Sequence, residues 1–461
     1  MTSAAASPVD AWHGLLRPDV ELAEPFWTDL SGRMREARLT FGGRLNCPFL
    51  RPIFVSPPDL ERVRTVAETI AAIGERVVAA ACADPSLLDA LGVTDEERRL
   101  VAIDPGYPTA STSSRLDSFL LPDTLGFAEY NAEAPAGFAY TEGLSELFDQ
   151  LPVMGRFRER FDAHYFHLCD RILEALLASY RDWGGRADPP TILITDWREV
   201  PTWNEFEIIQ DRFERLGVPT VVVEPQRLEF DGRHLVAAGR KIDMVYRRVL
   251  INDVVARPAE CHALVEACRA RAVCMANTFR CKIPHKKAFF GLLTDPAHSA
   301  LFTSAERATI SAHVPWTRLV ADTGTTDVEG RRVSLPEHMR AARDQLVLKP
   351  NDEYGGAGVV LGWETDEAAW DAAIQRALDD RPGTWVTQRR IAVRREEFPI
   401  VLEGPFRVEF RDMLVDFAPY LFRGRLAGFL TRLSSSGLAN VTSGGGQVPT
   451  FVVQPRTASH E

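Results

Sequence analysis

The stretch from Pro189 to Pro225, PPTILITDWREVPTWNEFEIIQDRFERLGVPTVVVEP, restricts the fold more than any other part of the chain. TILIT and TVVVEP are apolar runs of strand length. Between them lies an amphipathic helical segment ending near Leu216. Two strands joined through a helix pair in parallel, and a parallel sheet needs cover on both faces. The chain is therefore predicted to contain a doubly covered α/β layer. At 461 residues it exceeds what one core supports, so two or three domains are expected.

The surrounding pattern gives the rest of the organisation. Residues 1–105 read as mainly helical, with a capping box at Thr94 and Glu97. Residues 106–255 begin with a loop-rich stretch, strand-like near Phe119–Leu121 and Phe127–Tyr130. One long helix is predicted over roughly 155–182, carrying His164 and His167 on a partly exposed face. The parallel unit follows, then short strands turning at Asp231-Gly232. Residues 256–455 start helical, to about 345, and end in strands and turns with one helix near TDEAAWDAAIQRALDD. Residues 456–461 are a tail.

The net charge of −11 argues against nucleic-acid binding. No apolar run approaches 18 residues, so no membrane span is expected and the reading is a cytoplasmic protein. Cys261, Cys268, Cys274 and Cys281, near His262 and His285, lack the tight pairs of a zinc site and read as buried thiols.

The chemistry is signalled by LVLKPNDEYGGAGVVLGWE, residues 346–364. Two extended runs flank a glycine loop entered by Lys349. Gly355, Gly356 and Gly358 allow the backbone to approach an anion closely, so the segment reads as a flap over nucleotide phosphates. No G-x-x-x-x-G-K-[ST] loop exists, and the glycines join two strands instead of opening a helix, which excludes P-loop and dinucleotide readings. Downstream, TWVTQRRI offers a strand edge for a purine base, with Gln388 or a neighbour bonding it. Near the other end, RLDSF places Arg115 and Asp117 on one strand face, and AEYNAEAP places Glu129 and Asn131 on another. Paired, these strands gather an arginine, two carboxylates and an amide, the donors that Mg²⁺ and ATP require. Arg51, Arg247 and Arg248 are candidate carboxylate anchors, although a surface ion pair is the more ordinary role for a strand-end arginine.

The lysine, flap and hinge strand resemble the ATP-grasp ligases. R-x-D, followed twelve residues after the Asp by E-x-N-A-[DE]-x-P, resembles glutathionylspermidine synthase and its circularly permuted relatives. In that group the metal ligands precede the lysines. IPHKKAFFGLLTDP matches the segment of its second phosphate lysine, with Lys287 preferred over Lys286. The resemblance implies an α+β and α/β multidomain chain, an ATP-grasp preceded by a Rossmann-like β-α-β unit in a glutathione synthetase-like architecture. It implies ATP and Mg²⁺, held by Lys287, Lys349, Gly355, Gly356, Gly358 and Gln388, with Asp117, Glu129 and Asn131 on the metal. Arg115 would steady the transferred phosphoryl group, and Arg432 or Arg423 the acyl phosphate. The implied reaction joins a small-molecule carboxylate to an amine through an acyl phosphate. Two alternatives are a non-catalytic nucleotide-binding scaffold of the same fold and an ATP-grasp phosphotransferase. An ordinary ATP-grasp order would instead draw metal ligands from Asp416 and Asn440.

Overall fold

The computed structural model describes residues 7–402, 404–435 and 445–456. The β-α-β unit forms as expected. Ile192–Thr195 pairs in parallel with Thr220–Val222, and the helix Trp203–Arg215 crosses between them. Met244–Arg247 and Cys274–Ala276 extend the sheet on the other side, also in parallel, giving the order Cys274–Ala276, Met244–Arg247, Ile192–Thr195, Thr220–Val222. Ile192, Leu193 and Ile194 are all fully buried, as strands covered on both faces must be.

A six-stranded antiparallel sheet forms the second body. Its central strand, Val408–Phe422, pairs with Arg394–Val401, with Arg425–Ser434 and with Ser113–Leu120, and the last of these pairs with Leu125–Asn131. The helix Pro57–Ala83 packs near this sheet. Ser56 caps it by accepting from Asp59 N at 3.2 Å, and Val63, Val66, Ala67, Ile70, Ile73 and Val77 bury one stripe at spacings of three and four. A smaller antiparallel sheet runs Thr317–Leu319, Trp385–Arg389, Leu346–Pro350, Val360–Leu361. The capping box at Thr94 and Glu97 is present, as is the helix near the C-terminal third, Glu367–Asp379. The molecule is thus mixed α/β with several sheets. No described helix is long and apolar enough to cross a membrane.

Two segments depart from the expected pattern. The helix expected over 155–182 is broken into Pro152–Arg158, the strand Phe161–His164 and Leu168–Asp182. The strand pairs antiparallel with Thr450–Pro455, a partner some 290 residues away that local periodicity does not reveal. His164 is therefore a strand residue, and His167 only flanks the helix. The region from 258 to 345 is likewise not all helix. It holds the three-residue strands Cys274–Ala276 and Thr317–Leu319 and the hairpin Gly324–Thr326 with Arg332–Ser334.

Candidate active site

The strands Ser113–Leu120 and Leu125–Asn131 lie side by side, with Arg115 opposite Asn131 and Asp117 opposite Glu129. The register then shifts, leaving Ala128 as an extra residue on its strand. Its carbonyl accepts from Lys349 Nζ at 3.4 Å. An irregularity in one sheet thus meets a lysine from another.

Asp117 is held from two sides. Arg115 donates through Nε to Oδ1 at 2.7 Å and Arg432 through a terminal nitrogen to Oδ2 at 2.5 Å. Arg432 also donates through Nε to Asp416 Oδ2 at 2.6 Å, and those two residues are register partners on adjacent strands. Burial opposes ionisation of Asp117, but the two guanidiniums outweigh it and hold its carboxyl well below the usual range. Asp416, buried and competing with Asp117 for Arg432, is pushed up to about 6. Asp416 therefore stands in the same cluster as Asp117, so the two metal-site alternatives of the sequence overlap in space. Asn440 lies outside the described residues.

Glu129 accepts from Asn131 Nδ2 at 3.0 Å and lies 3.4 Å from Lys287 Nζ. Burial would raise its pKa, but Lys287 and Lys349 bring the net shift downward. Because Asn131 spends its N–H on Glu129, its carbonyl oxygen remains a donor for a cation. Glu129, the Asn131 carbonyl and Asp117 are all hard oxygen donors. That fits magnesium, which is commonly held by one or two carboxylates together with substrate phosphates. Asp117 would have to share its oxygens with the arginines. Among the described residues no three His, Cys, Asp or Glu side chains converge as a protein-only metal cage. Cys261, Cys268, Cys274 and Cys281 are buried free thiols, each raised to about 12 or above chiefly by burial.

Of the two adjacent lysines, Lys286 is consumed by Glu97 and Asp352, at 2.8 and 2.7 Å, whereas Lys287 lines the cavity. Lys349 donates to Gln388 Oε1 at 2.7 Å, and Gln388 donates through Nε2 to Thr317 Oγ1 at 3.1 Å. Burial lowers Lys349 to about 8, with Glu129 raising it and Lys287 lowering it further. Both polar atoms of Gln388 are thus already engaged. Its strand is paired on both edges, so the free backbone edge expected there does not exist. Gln388 still lines the cavity, together with Arg390, Ile391 and Val393 just beyond the strand.

The flap is a hairpin with two registered pairs, Val347 with Leu361 and Leu348 with Val360. Gly355, Gly356 and Gly358 have φ of +65°, +76° and +71°, where side chains are disfavoured. A Cβ on Gly358 would also stand 2.7 Å from Pro350 Cγ. The flap, Lys287, Lys349, Glu129, Asp117 and Arg432 surround one cavity of about 350 Å³, whose apolar wall includes Val347, Val359, Leu361 and Leu414. A second chamber of about 290 Å³ adjoins it and shares Glu129, Gly355 and Arg432.

Arg423, Arg51 and Arg247 do not line this cavity. Arg423 pairs with Asp182, leaving Arg432 as the one of the pair at the cavity. Arg51 is fully buried against Glu396 at 2.8 Å, and Arg247 against Glu133 at 3.2 Å. Two structural residues escaped the sequence reading. Asp352, at the foot of the flap, bridges Lys282 and Lys286 at 2.7 Å each. Glu133 accepts from Lys282 and Arg247. Its place within AEYNAEAP was the available signal.

Comparison with known proteins gives distant relatives. An uncharacterized protein of Mycobacterium tuberculosis is 24% identical over 359 residues, covering 72% of this chain and 58% of that protein. A putative glutamate–cysteine ligase of Frankia alni is 26% identical over 252 residues, covering 52% of this chain and 27% of the relative. The chain therefore spans little more than half of the mycobacterial protein. No family model matches. Among solved structures, a glutathione synthetase-like effector from Globodera pallida, in its apo form, superposes with a TM-score of 0.59 at 12% identity, covering 92% of this chain and 96% of that one. The fold is glutathione synthetase-like.

Proposed function

We propose that this chain is an ATP-dependent carboxylate–amine ligase with a circularly permuted ATP-grasp site, of the kind that glutathionylspermidine synthase represents. One observation carries the reading: Asp117 and Glu129, from early in the chain, meet Lys287, Lys349 and the glycine flap around a single cavity, and Asn131, hydrogen-bonded to Glu129, lines the adjoining chamber. The fold likeness and the ligase name of a distant relative support it.

In this reading the apolar wall holds the base, and the flap's backbone N–H groups with Lys287 and Lys349 hold the phosphates. Magnesium, held by Glu129, Asn131 and Asp117, would supply charge neutralisation for the phosphates. A substrate carboxylate oxygen attacks the γ-phosphorus and ADP leaves. The amine then attacks the acyl carbon and inorganic phosphate leaves, forming the amide. Arg432, fixed between Asp117 and Asp416 where the two cavities meet, presents its charge to the transferring group. Incubation with MgATP and mixtures of carboxylates and amines, followed by mass spectrometry, should reveal a product one water lighter than its parents, with ADP and phosphate. Failure to bind ATP, or release of AMP and pyrophosphate, would overturn the proposal.

A further inference from the structure

The second chamber opens at the carboxyl ends of the parallel sheet, where α/β sheets form their ligand crevices. Thr195 and Arg247 are register partners, so Asp196 and Arg248 leave two adjacent strands side by side. The main chain fixes them there: Arg248 N and Val249 N both donate to Thr195 O at 3.0 Å. Both side chains line the chamber.

Arg248 is 3% exposed, yet its hydrogen-bond acceptors are all neutral: the carbonyls of Ala134 and Pro135 and the hydroxyl of Tyr246. Its Nε has no partner. Asp196 is 7% exposed and accepts from Trp197 N at 2.9 Å. The two do not pair with each other within 4.0 Å. Burial lifts Asp196 to about 6, so its surroundings supply too little positive charge to offset desolvation. On the same chamber wall, Asn46 is 2% exposed with both amide atoms unpartnered. A buried guanidinium, carboxylate and carboxamide left incompletely satisfied mark a place where a ligand completes the bonding.

We propose that this chamber takes the head group of an α-amino-acid-type zwitterion, with its carboxylate on Arg248 and its ammonium on Asp196. The two ligand charges share one carbon, which suits partners about one strand spacing apart, ~4.8 Å. A diamine would set a cation against Arg248, and a dicarboxylate an anion against Asp196. Asn46 offers a donor and an acceptor to a further polar group of the same molecule. Naming this zwitterion a ligase substrate rests on the ligase reading; its binding does not.

The test uses the full chain without ATP, titrated with each common L-amino acid. For any that binds, its Nα-acetyl and α-carboxamide forms and putrescine follow. At least one amino acid should bind, and each blocked form should bind about tenfold or more weakly, since each strands one buried charge. Asp196→Asn should erase the preference over the Nα-acetyl form, and Arg248→Gln the preference over the α-carboxamide. If a variant fails to fold, the analogue series on the unaltered protein decides. Equal binding of blocked forms, or binding of MgATP but no amino acid, overturns this proposal and leaves the ligase reading standing. Discrimination retained by a protein that does not bind MgATP supports the zwitterion site and removes the ligase reading.

Discussion

Lys349 gives the site a measurable signature. Burial lowers its amine to about 8 in the nucleotide-free protein. Triphosphate beside it would restore the ordinary lysine range, because a neighbouring anion favours the charged form. Binding is then linked to proton uptake. At about pH 7 the free lysine is mostly charged and nothing is lost. At about pH 9 only about one molecule in eleven is charged, so MgATP should bind about tenfold more weakly than at pH 7. At about pH 8 each binding event should take up about half a proton. The sign is fixed: affinity falls as pH rises through 8.

Calorimetric titration in buffers of different ionisation enthalpy measures both quantities. Lys349→Met should weaken binding at neutral pH and flatten its dependence between pH 7 and 9. A flat profile in the unaltered protein, or a tenfold decline surviving in Lys349→Met, would refute the assignment of Lys349 to the phosphates.

Glu129→Gln should abolish MgATP turnover while the protein stays folded, followed by thermal melting; lost stability with turnover retained would make Glu129 structural. Gly356→Val places a branched side chain at φ +76° and should sharply reduce ATP affinity. In the unaltered protein, MgATP should slow proteolysis near Tyr354, which is 65% exposed. Asp352→Ala removes the carboxylate shared by buried Lys282 and Lys286 and should cost about 3–5 kcal/mol in chemical denaturation, whereas a loss below about 1 kcal/mol would show that Glu97 and Glu133 suffice. Asp117→Asn should collapse magnesium-dependent turnover and Asp416→Asn lower it modestly; the reverse order would place the metal contact at Asp416.

What was legible in the sequence was local. Period-two spacing put Arg115 with Asp117, and Glu129 with Asn131, on common faces, and the strand pairing follows that spacing. The glycine loop between two strands likewise forms from its own residues, since positive φ is encoded where it occurs. What escaped was set by distant partners. Phe161–His164 becomes a strand because Thr450–Pro455 lies beside it. Gln388 is spent on Lys349 and Thr317, and both edges of its strand are covered by segments nearly 40 and 70 residues earlier. Arg247 and Arg248 are neighbours in sequence and alternate across a strand end, one buried on Glu133 and the other facing the chamber. The spacing supplied the alternation; only the packing shows which face borders the chamber.

The long strand Val408–Phe422 explains how segments so far apart in the chain act together. Tyr420 is paired with Arg115 and Asp416 with Arg432, so one strand registers the early Arg115 against the late Arg432. Arg432 is thereby held between Asp117 and Asp416, two carboxylates with opposite pKa shifts. Asp117, gripped by two guanidiniums, stays ionised, so a proton entering this buried cluster resides on Asp416. Moving either strand by one residue would turn one partner of each pair to the opposite face. The register of this sheet is therefore part of the site's electrostatics: it decides which carboxylate keeps its charge between Arg115 and Arg432, and which one absorbs the proton behind Arg432.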